Sequence, residues 1–379
     1  MADRESQIIA RLAPGVATLP AAEWDGLAGA GDPFLSHAFL AALEESGSVG
    51  EGTGWTPLPI IVEEDGRAVA AAPAYLKTHS QGEYVFDHGW ADGYERAGGQ
   101  YYPKLQIAVP FTPVPGRRLL GGRPQQLLAA AEAVVLQNGL SSVHATFVAD
   151  AEVAEFAQRG WLIRTGIQYH WRNRDFAGFD DFLGLLTSRK RKAVRREREA
   201  ARAGLEFLAL RGAEIGPAHW DAMWDFYQDT GARKWGHPYL TRALFDLLGE
   251  RMADEVLLLL ALRDGIPIAG ALNLIGGNTL YGRYWGASEE RPFLHFELCY
   301  YQAIEWAIAH GIKWVQAGAQ GEHKLARGYE PVPTHSAHFI ADPGFRRAVA
   351  GFLDEEREAI ARELALLREG LPYRSDASP

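Results

Sequence analysis

The feature that most restricts how this chain can fold is a repeated order of turn and strand signals. Residues 58–76 (LPIIVEEDGRAVAAAPAYL) place two apolar runs around Asp65-Gly66, and residues 257–275 (LLLLALRDGIPIAGALNLI) do the same around Asp264-Gly265. Asp-Gly between apolar runs is a strong hairpin signal, because both central residues of the favoured two-residue turn need positive φ. The hairpins lie 199 residues apart. A strand, a loop and an amphipathic helix follow each. From Pro124 the positions Leu127, Ala131, Val134 and Val135 share one helical face, ended by Asn138-Gly139; from Phe296 the positions Leu298, Tyr301, Ile304 and Ile308 do likewise, ended by His310-Gly311. Short strand patterns come next, at residues 142–148 (SVHATFV) and 313–319 (KWVQAGA). Then RGWLIRTGIQYHW from Arg159 aligns without gaps to RGYEPVPTHSAHF from Arg327, pairing His170 with His338.

Successive offsets of 199, 172 and 168 residues mean that the first copy carries extra residues, most simply in the polar, Gly-rich and Tyr-rich stretch 78–104. A unit that opens with an antiparallel hairpin cannot be a regular alternating doubly wound fold. The expected class is therefore α/β, with mixed, largely antiparallel sheets flanked by helices. A length of 379 residues also predicts two domains. They are expected over 1–172 and 173–373, the second including a basic helix over 187–203 and a C-terminal helix after Pro343, with a disordered tail over 374–379.

A formal charge of -10 opposes binding to duplex nucleic acid. Cys299 is the only cysteine, which excludes an intrachain disulfide and a cysteine-based zinc site, and no metal is expected. The N-terminal residues lack a signal-type apolar stretch, and the longest aliphatic run, 256–262, is too short to span a bilayer. These features predict a cytoplasmic protein without a transmembrane segment.

The order hairpin, strand, helix, strand, strand resembles the acetyltransferase (GNAT) superfamily, and its tandem repetition resembles the Fem aminoacyltransferases. Three stretches sharpen this: 296–329 (FELCYYQAIEWAIAHGIKWVQAGAQGEHKLARGY), 233–241 (RKWGHPYLT) and 188–199 (SRKRKAVRRERE). They look like the bacterial Fem-like N-acyltransferases of the peptidoglycan biosynthesis or recognition group, a likeness that runs from about Phe34 to Pro372. AGAQGEHKLARG is its most distinctive signature. The resemblance implies two tandem GNAT-like domains and a transferase with no tightly bound cofactor, using acyl-CoA or aminoacyl-tRNA as co-substrate.

In acetyltransferase-like folds the donor's phosphates sit on backbone N–H groups where a strand passes into a helix. Residues 113–123 (PVPGRRLLGGR) offer Arg117, Arg118, Gly121, Gly122 and Arg123 at such a place, although they depart from the superfamily's Q-x-x-G-x-G/A pattern and also read as an ordinary surface loop. Residues 288–297 are acidic and poorly suited to phosphate. In the signature GAQGEHK, Glu322 or His323 is placed to take a proton from an amine, and Lys324 to hold an anion or stabilise a tetrahedral intermediate; the other reading is a solvated turn. Tyr281 and Tyr284 alternate along one strand, so only one can face a ligand. The resemblance implies that Tyr284 protonates a leaving thiolate, against a plain core role. Glu297 is either a substrate contact or a carboxylate offsetting the helix dipole.

Lys234, Trp235, His237 and Tyr239 form an aromatic and cationic cluster that either overhangs a cleft as a lid or packs between helices. His88 and Trp90 are candidates for an acceptor pocket. Arg189 and Lys190 open a run with seven Lys or Arg in ten residues, which is either a solvated helix or a dock for a phosphorylated substrate or the acceptor end of a charged tRNA. The expected activity is N-acyl or aminoacyl transfer to a small-molecule amine or an envelope precursor; the alternative is a non-catalytic GNAT-fold protein that recognises a cell-wall precursor or another small ligand. Donor, acceptor and oligomeric state are left open at this level.

Overall fold

The computed structural model describes residues 7–235, 238–318 and 321–374. Both Asp-Gly turns form. Asp65 and Gly66 have φ of 51° and 78°, Asp264 and Gly265 of 52° and 77°, the left-handed pair that a tight hairpin turn demands. They join Ile60–Glu64 to Arg67–Ala72 and Val256–Arg263 to Ile266–Gly276. The rest of the repeat follows. Helix Pro124–Gln137 starts on its proline and stops before Gly139 (φ 62°), and a helix over 294–309 stops before Gly311 (φ 66°). Leu162–Arg172 and Glu330–Ile340, which contain the aligned sequences, are strands of equal length. The class is the expected mixed α/β one. Two local differences stand out. The described strand after the second helix is only Trp314–Gln316, and the inserted stretch contains a helix, His88–Arg96.

Two compact units divide the chain: 1–166 with 333–362, and 167–332 with 363–379. The division thus falls six residues before the expected boundary, and the first unit takes back a later segment. The physical reason is strand pairing. From His335 onward Glu330–Ile340 is laddered to Ser142–Val148, and the first half of helix Pro343–Glu369 buries Val349 and Leu353 beside Trp90 and Tyr101. The expected tail, beyond Arg374, lies outside the described residues. No described helix is long and apolar enough to cross a membrane.

In the first unit, one sheet runs Trp55–Pro57, Ala74–Lys77, Lys104–Ile107, Ser142–Val148, then the end of Glu330–Ile340. Alternate side chains separate into two faces. Ala74, Leu105, Ile107, Val143, Ala145 and Ala337 enter an apolar core with Leu127, Leu128 and Ala131 of the helix. The other face carries Lys77, Lys104, Gln106, His144 and His338, a pattern that reads as solvent-facing, yet all five are buried. The inserted stretch supplies their partners. Lys104 Nζ donates to Ser80 Oγ and Glu83 Oε2, each at 2.8 Å, and to Asp87 Oδ2. Tyr101 donates to Asp87 at 2.6 Å and lies 3.1 Å from His144 Nε2, while His144 Nδ1 meets His338 Nδ1 at 2.7 Å.

In the second unit the order is Glu206–Arg211, Val256–Arg263, Ile266–Gly276, Thr279–Ala287, Trp314–Gln316, then the end of Leu162–Arg172. Helix Pro217–Trp235 lies directly on the fourth of these strands. A Cβ at Gly286 would stand 2.0 Å from the Phe226 carbonyl oxygen, so this contact requires glycine.

Two predictions follow from this packing. Gly286→Ala should lower unfolding free energy by about 1–3 kcal/mol, read as a lower urea midpoint at unchanged m-value. The buried histidines make the fold acid-sensitive. Burial, then the charge of Lys104, pulls His144 from 6.5 down to about 3, and burial with the neighbouring His144 holds His338 well below its ordinary value. The folded state therefore refuses protons that the unfolded chain accepts as pH falls below 6.5, so their stabilisation is full above that pH and is lost below it. His144→Gln should flatten the fall of stability between roughly pH 6 and 4 by up to ~1.4 kcal/mol per pH unit, measured by urea titration at stepped pH.

Candidate active site

Strand Thr279–Ala287 pairs in parallel with Trp314–Gln316 at only three positions, Thr279, Leu280 and Tyr281. Beyond them, among the described residues, it is laddered on one side only, to Ile266–Gly276, with Arg283 as an extra residue in the register. Such a bulge re-aims the side chains that follow it. The strands thus part over a small cavity of about 110 Å³, walled by Gly282, Tyr284 and Trp285 on one side and Tyr300, Ala317 and Gly318 on the other. A larger cavity of about 670 Å³ shares Trp285 and His295 and reaches Thr230, Glu290 and Arg291. Its volume is in the range of small-ligand sites.

The helix that forms the far wall is irregular where it meets the cavity. Phe293 precedes it in the left-handed conformation (φ 65°), and Glu297–Gln302 is a π-helical turn, a feature frequent at functional sites. Tyr300 of this turn reaches the cavity, and its hydroxyl lies 2.8 Å from His323 Nε2. His323 and Lys324 sit on the short 3-10 helix Glu322–Arg327. Gly321 before it has φ 121°, and a Cβ there would stand 2.4 Å from the His323 ring, so glycine is what lets the imidazole fold back over the turn. Lys324 is buried, and its Nζ donates to the carbonyl of cavity residue Gly318 at 2.7 Å.

Electrostatics prepares these groups. Burial pulls Lys324 from 10.5 down to about 8. Burial, then the charges of Arg327 and Lys324, lowers His323 below 6.5, leaving a neutral imidazole at neutral pH. Burial raises Tyr300 above the ordinary tyrosine value, so its hydroxyl keeps its proton. His170, whose strand position is paired with Gln316, is pulled down to about 4 by burial and then by Lys324. Neutral imidazole, hydroxyl and a cation that titrates near neutrality are the components of proton transfer with charge stabilisation.

The sequence candidates scatter more widely. Of the signature residues, Lys324 and His323 touch the cavity lining through Gly318 and Tyr300 without lining it themselves; Lys324 is buried, and His323 and Glu322 are both exposed on the turn. Tyr284 lines the small cavity. Glu297 is fully buried and accepts from Arg198 Nε at 3.0 Å, Arg198 Nη2 at 2.9 Å and Gln302 Nε2 at 2.8 Å. Arg189 is exposed and Lys190 half-buried on the helix Ser188–Arg202, which bears out neither reading of that run by itself.

The 113–123 loop is a framework. Arg118 is buried and donates to the carbonyls of Val114, Arg117 and Thr146; Arg117 donates to those of Leu27, Ala28 and Leu119. Arg123 pairs with Glu64, and Gly121 lies on the short strand Leu120–Gly121, beside the exposed Gly122. Trp90 is buried with its ring 4.9 Å from that of His338, and His88 is exposed, so they do not build one pocket. Tyr239 is half-buried, with its backbone N–H on the Tyr227 hydroxyl at 3.0 Å. His237 and the side chains of Lys234 and Trp235 lie outside the described residues.

Sequence reasoning passed over Tyr300, His295 and Trp285. Helical spacing correctly gave Tyr301 to the core, but a π turn has no periodic signature, and neither has a bulge. The available hint was the density of aromatic residues between Tyr284 and Tyr301.

A duplicated mixed α/β framework, with a cavity opened between parting strands of its second unit, is the class of protein that the fold and site define. Residues 15–375 match the FemAB-like family, described as peptidoglycan biosynthesis/recognition, and the chain belongs to it. Among solved structures it is similar to FemX (12% identity over 91% of this chain and 100% of that one, TM-score 0.54). It is also similar to a conserved protein of unknown function from Bacteroides thetaiotaomicron (11%, 88% and 100%, TM-score 0.53) and to L-PGS from Bacillus licheniformis (12%, 86% and 98%, TM-score 0.50). At these identities the likeness is one of fold. No curated protein matches the chain in sequence.

Proposed function

We propose that the chain is an N-acyltransferase that moves an aminoacyl group from charged tRNA to an amine of a peptidoglycan precursor. The observation that carries this reading is the contact of the signature turn with the cavity lining: Lys324 Nζ donates to the Gly318 carbonyl and His323 meets the Tyr300 hydroxyl, and Gly318 and Tyr300 both line the cavity between the parting strands. The acceptor amine occupies the larger cavity against Trp285 and His295. It loses a proton through the Tyr300 hydroxyl to His323, and the freed nitrogen attacks the ester carbonyl. The Lys324 ammonium stabilises the resulting oxyanion. As the C–N bond completes, the C–O ester bond breaks, and the leaving ribose oxygen takes back the proton that His323 holds, returned through the Tyr300 hydroxyl.

The family description supports a cell-envelope acceptor. The donor reading rests on where the free cations are. Arg117, Arg118 and Arg123 are engaged within the first unit, whereas Arg189, Lys192 and Arg196 are exposed along one basic helix, where phosphates are attracted.

The direct test is transfer of a labelled amino acid from bulk charged tRNA to a lysine-containing muropeptide. Its pH profile should be bell-shaped. Turnover falls below pH 6.5 as His323 protonates, and falls again as pH rises through about 8, where Lys324 loses its charge. Lys324→Gln should lower kcat by about 10²–10³, and Lys324→Arg, which cannot deprotonate in this range, should remove the alkaline limb from whatever activity remains. An alkaline limb retained in Lys324→Arg would assign it to another group. Charge reversal at Arg189 and Lys192 should reduce the slope of log K for tRNA against log salt by about 1 per lost phosphate contact. An unchanged slope would remove tRNA from this helix.

A further inference from the structure

A guanidinium braces the turn that carries His323. Arg327, at the end of that turn, is buried, with Nη1 donating to the His323 carbonyl at 2.8 Å and Nη2 to Glu197 Oε2 at 2.8 Å. Its plane lies 3.5 Å from the centroid of Phe296, whose ring is 5.5 Å from that of His323. Glu197 belongs to the basic helix Ser188–Arg202 and also accepts from the Tyr301 hydroxyl, next to Tyr300. One side chain therefore touches the basic helix, the cavity helix and the signature turn.

Resting on the reading of His323 as proton acceptor, we propose that Arg327 is a positioning residue that fixes the imidazole against Tyr300, with Glu197 as its anchor. The geometry needs a fork. Two parallel donors and a flat face satisfy the peptide, the carboxylate and the phenyl ring at once, which a lysine cannot do. The same charge also acts on the imidazole. The charged and titratable groups around His323 are Arg327, Lys324, the Tyr300 hydroxyl, the His295 ring at 6.4 Å and the adjoining Glu322. Of these, Arg327 and Lys324 disfavour the imidazolium, so removing either charge lets the ring bind a proton more readily. An arginine that acted by its charge alone could be replaced by lysine without loss of turnover, so the lysine variant separates positioning from charge.

The experiment uses the full chain and two readouts. Imidazole titration followed by nitrogen NMR, with the His323 signal assigned by its loss in His323→Gln, needs no substrate. Arg327→Gln should raise the His323 midpoint toward 6.5. Arg327→Lys should hold the midpoint near that of the parent protein. In the transfer assay, Arg327→Gln and Arg327→Lys should each lower kcat by about 10-fold or more while the KM for charged tRNA stays within about twofold. An unshifted His323 in a folded Arg327→Gln protein overturns the proposal, as does a loss carried by KM alone. If His323→Gln retains full turnover, the assignment of the base falls, while the NMR arm still decides whether Arg327 governs the ring.

Discussion

Glu297 is sealed from water in the second unit, and its charge is carried by Arg198 with Arg202 and Gln302 beside it. A buried carboxylate of this kind is tolerated only while its partners stay in place, and removing one member of such a pair costs about 3–5 kcal/mol. The pair joins the basic helix to the first residue of the π-helical turn, and Arg327 with Glu197 makes a second join one helical position away. The cavity wall, the signature turn and the basic helix are thereby held as one body. A helix whose outer face is exposed and cationic is thus anchored through its inner face to the residues nearest the cavity.

The cavity itself is a product of backbone geometry. Three residues of parallel pairing, then a bulge at Arg283, leave one strand without a neighbour on one side, among the described residues, just where Tyr284 and Trp285 stand. Glycine makes the surrounding contacts possible: Gly286 admits the helix Pro217–Trp235, and Gly321 admits the ring of His323. The space so formed has Tyr284 and Trp285 on one wall and Tyr300 with Ala317 and Gly318 on the other.

The first unit uses the same repeat for a different end. Its sheet turns Lys77, Lys104, His144 and His338 toward a buried face, and the inserted stretch meets them with Glu83, Asp87 and Tyr101. Their charges are balanced internally, and the corresponding loop arginines hold backbone carbonyls. The two copies thus differ: in the second a polar turn touches the lining of a cavity, and in the first these polar residues pair with one another inside the unit.

Local chemistry settled much of this in advance. Asp65-Gly66 and Asp264-Gly265 could be read as turns because only a few residues accept two successive positive φ values, and the paired strands because period-2 patterning survives insertion elsewhere. His323 and Lys324 could be picked out as candidates because polar residues after a strand and a glycine need a reason. Other assignments failed where partners came from far along the chain. Glu297 resembles a helix-dipole carboxylate until Arg198 arrives from 99 residues away, and Arg118 resembles a surface cation until the Thr146 carbonyl closes on it. The sequence by itself determined the repeat, the turns and the signature, since these depend on neighbours along the chain. Only the tertiary structure decided which charges are free and which are buried, which tyrosine meets the cavity and where the units divide, because burial and pairing are set by residues that the chain brings together from a distance.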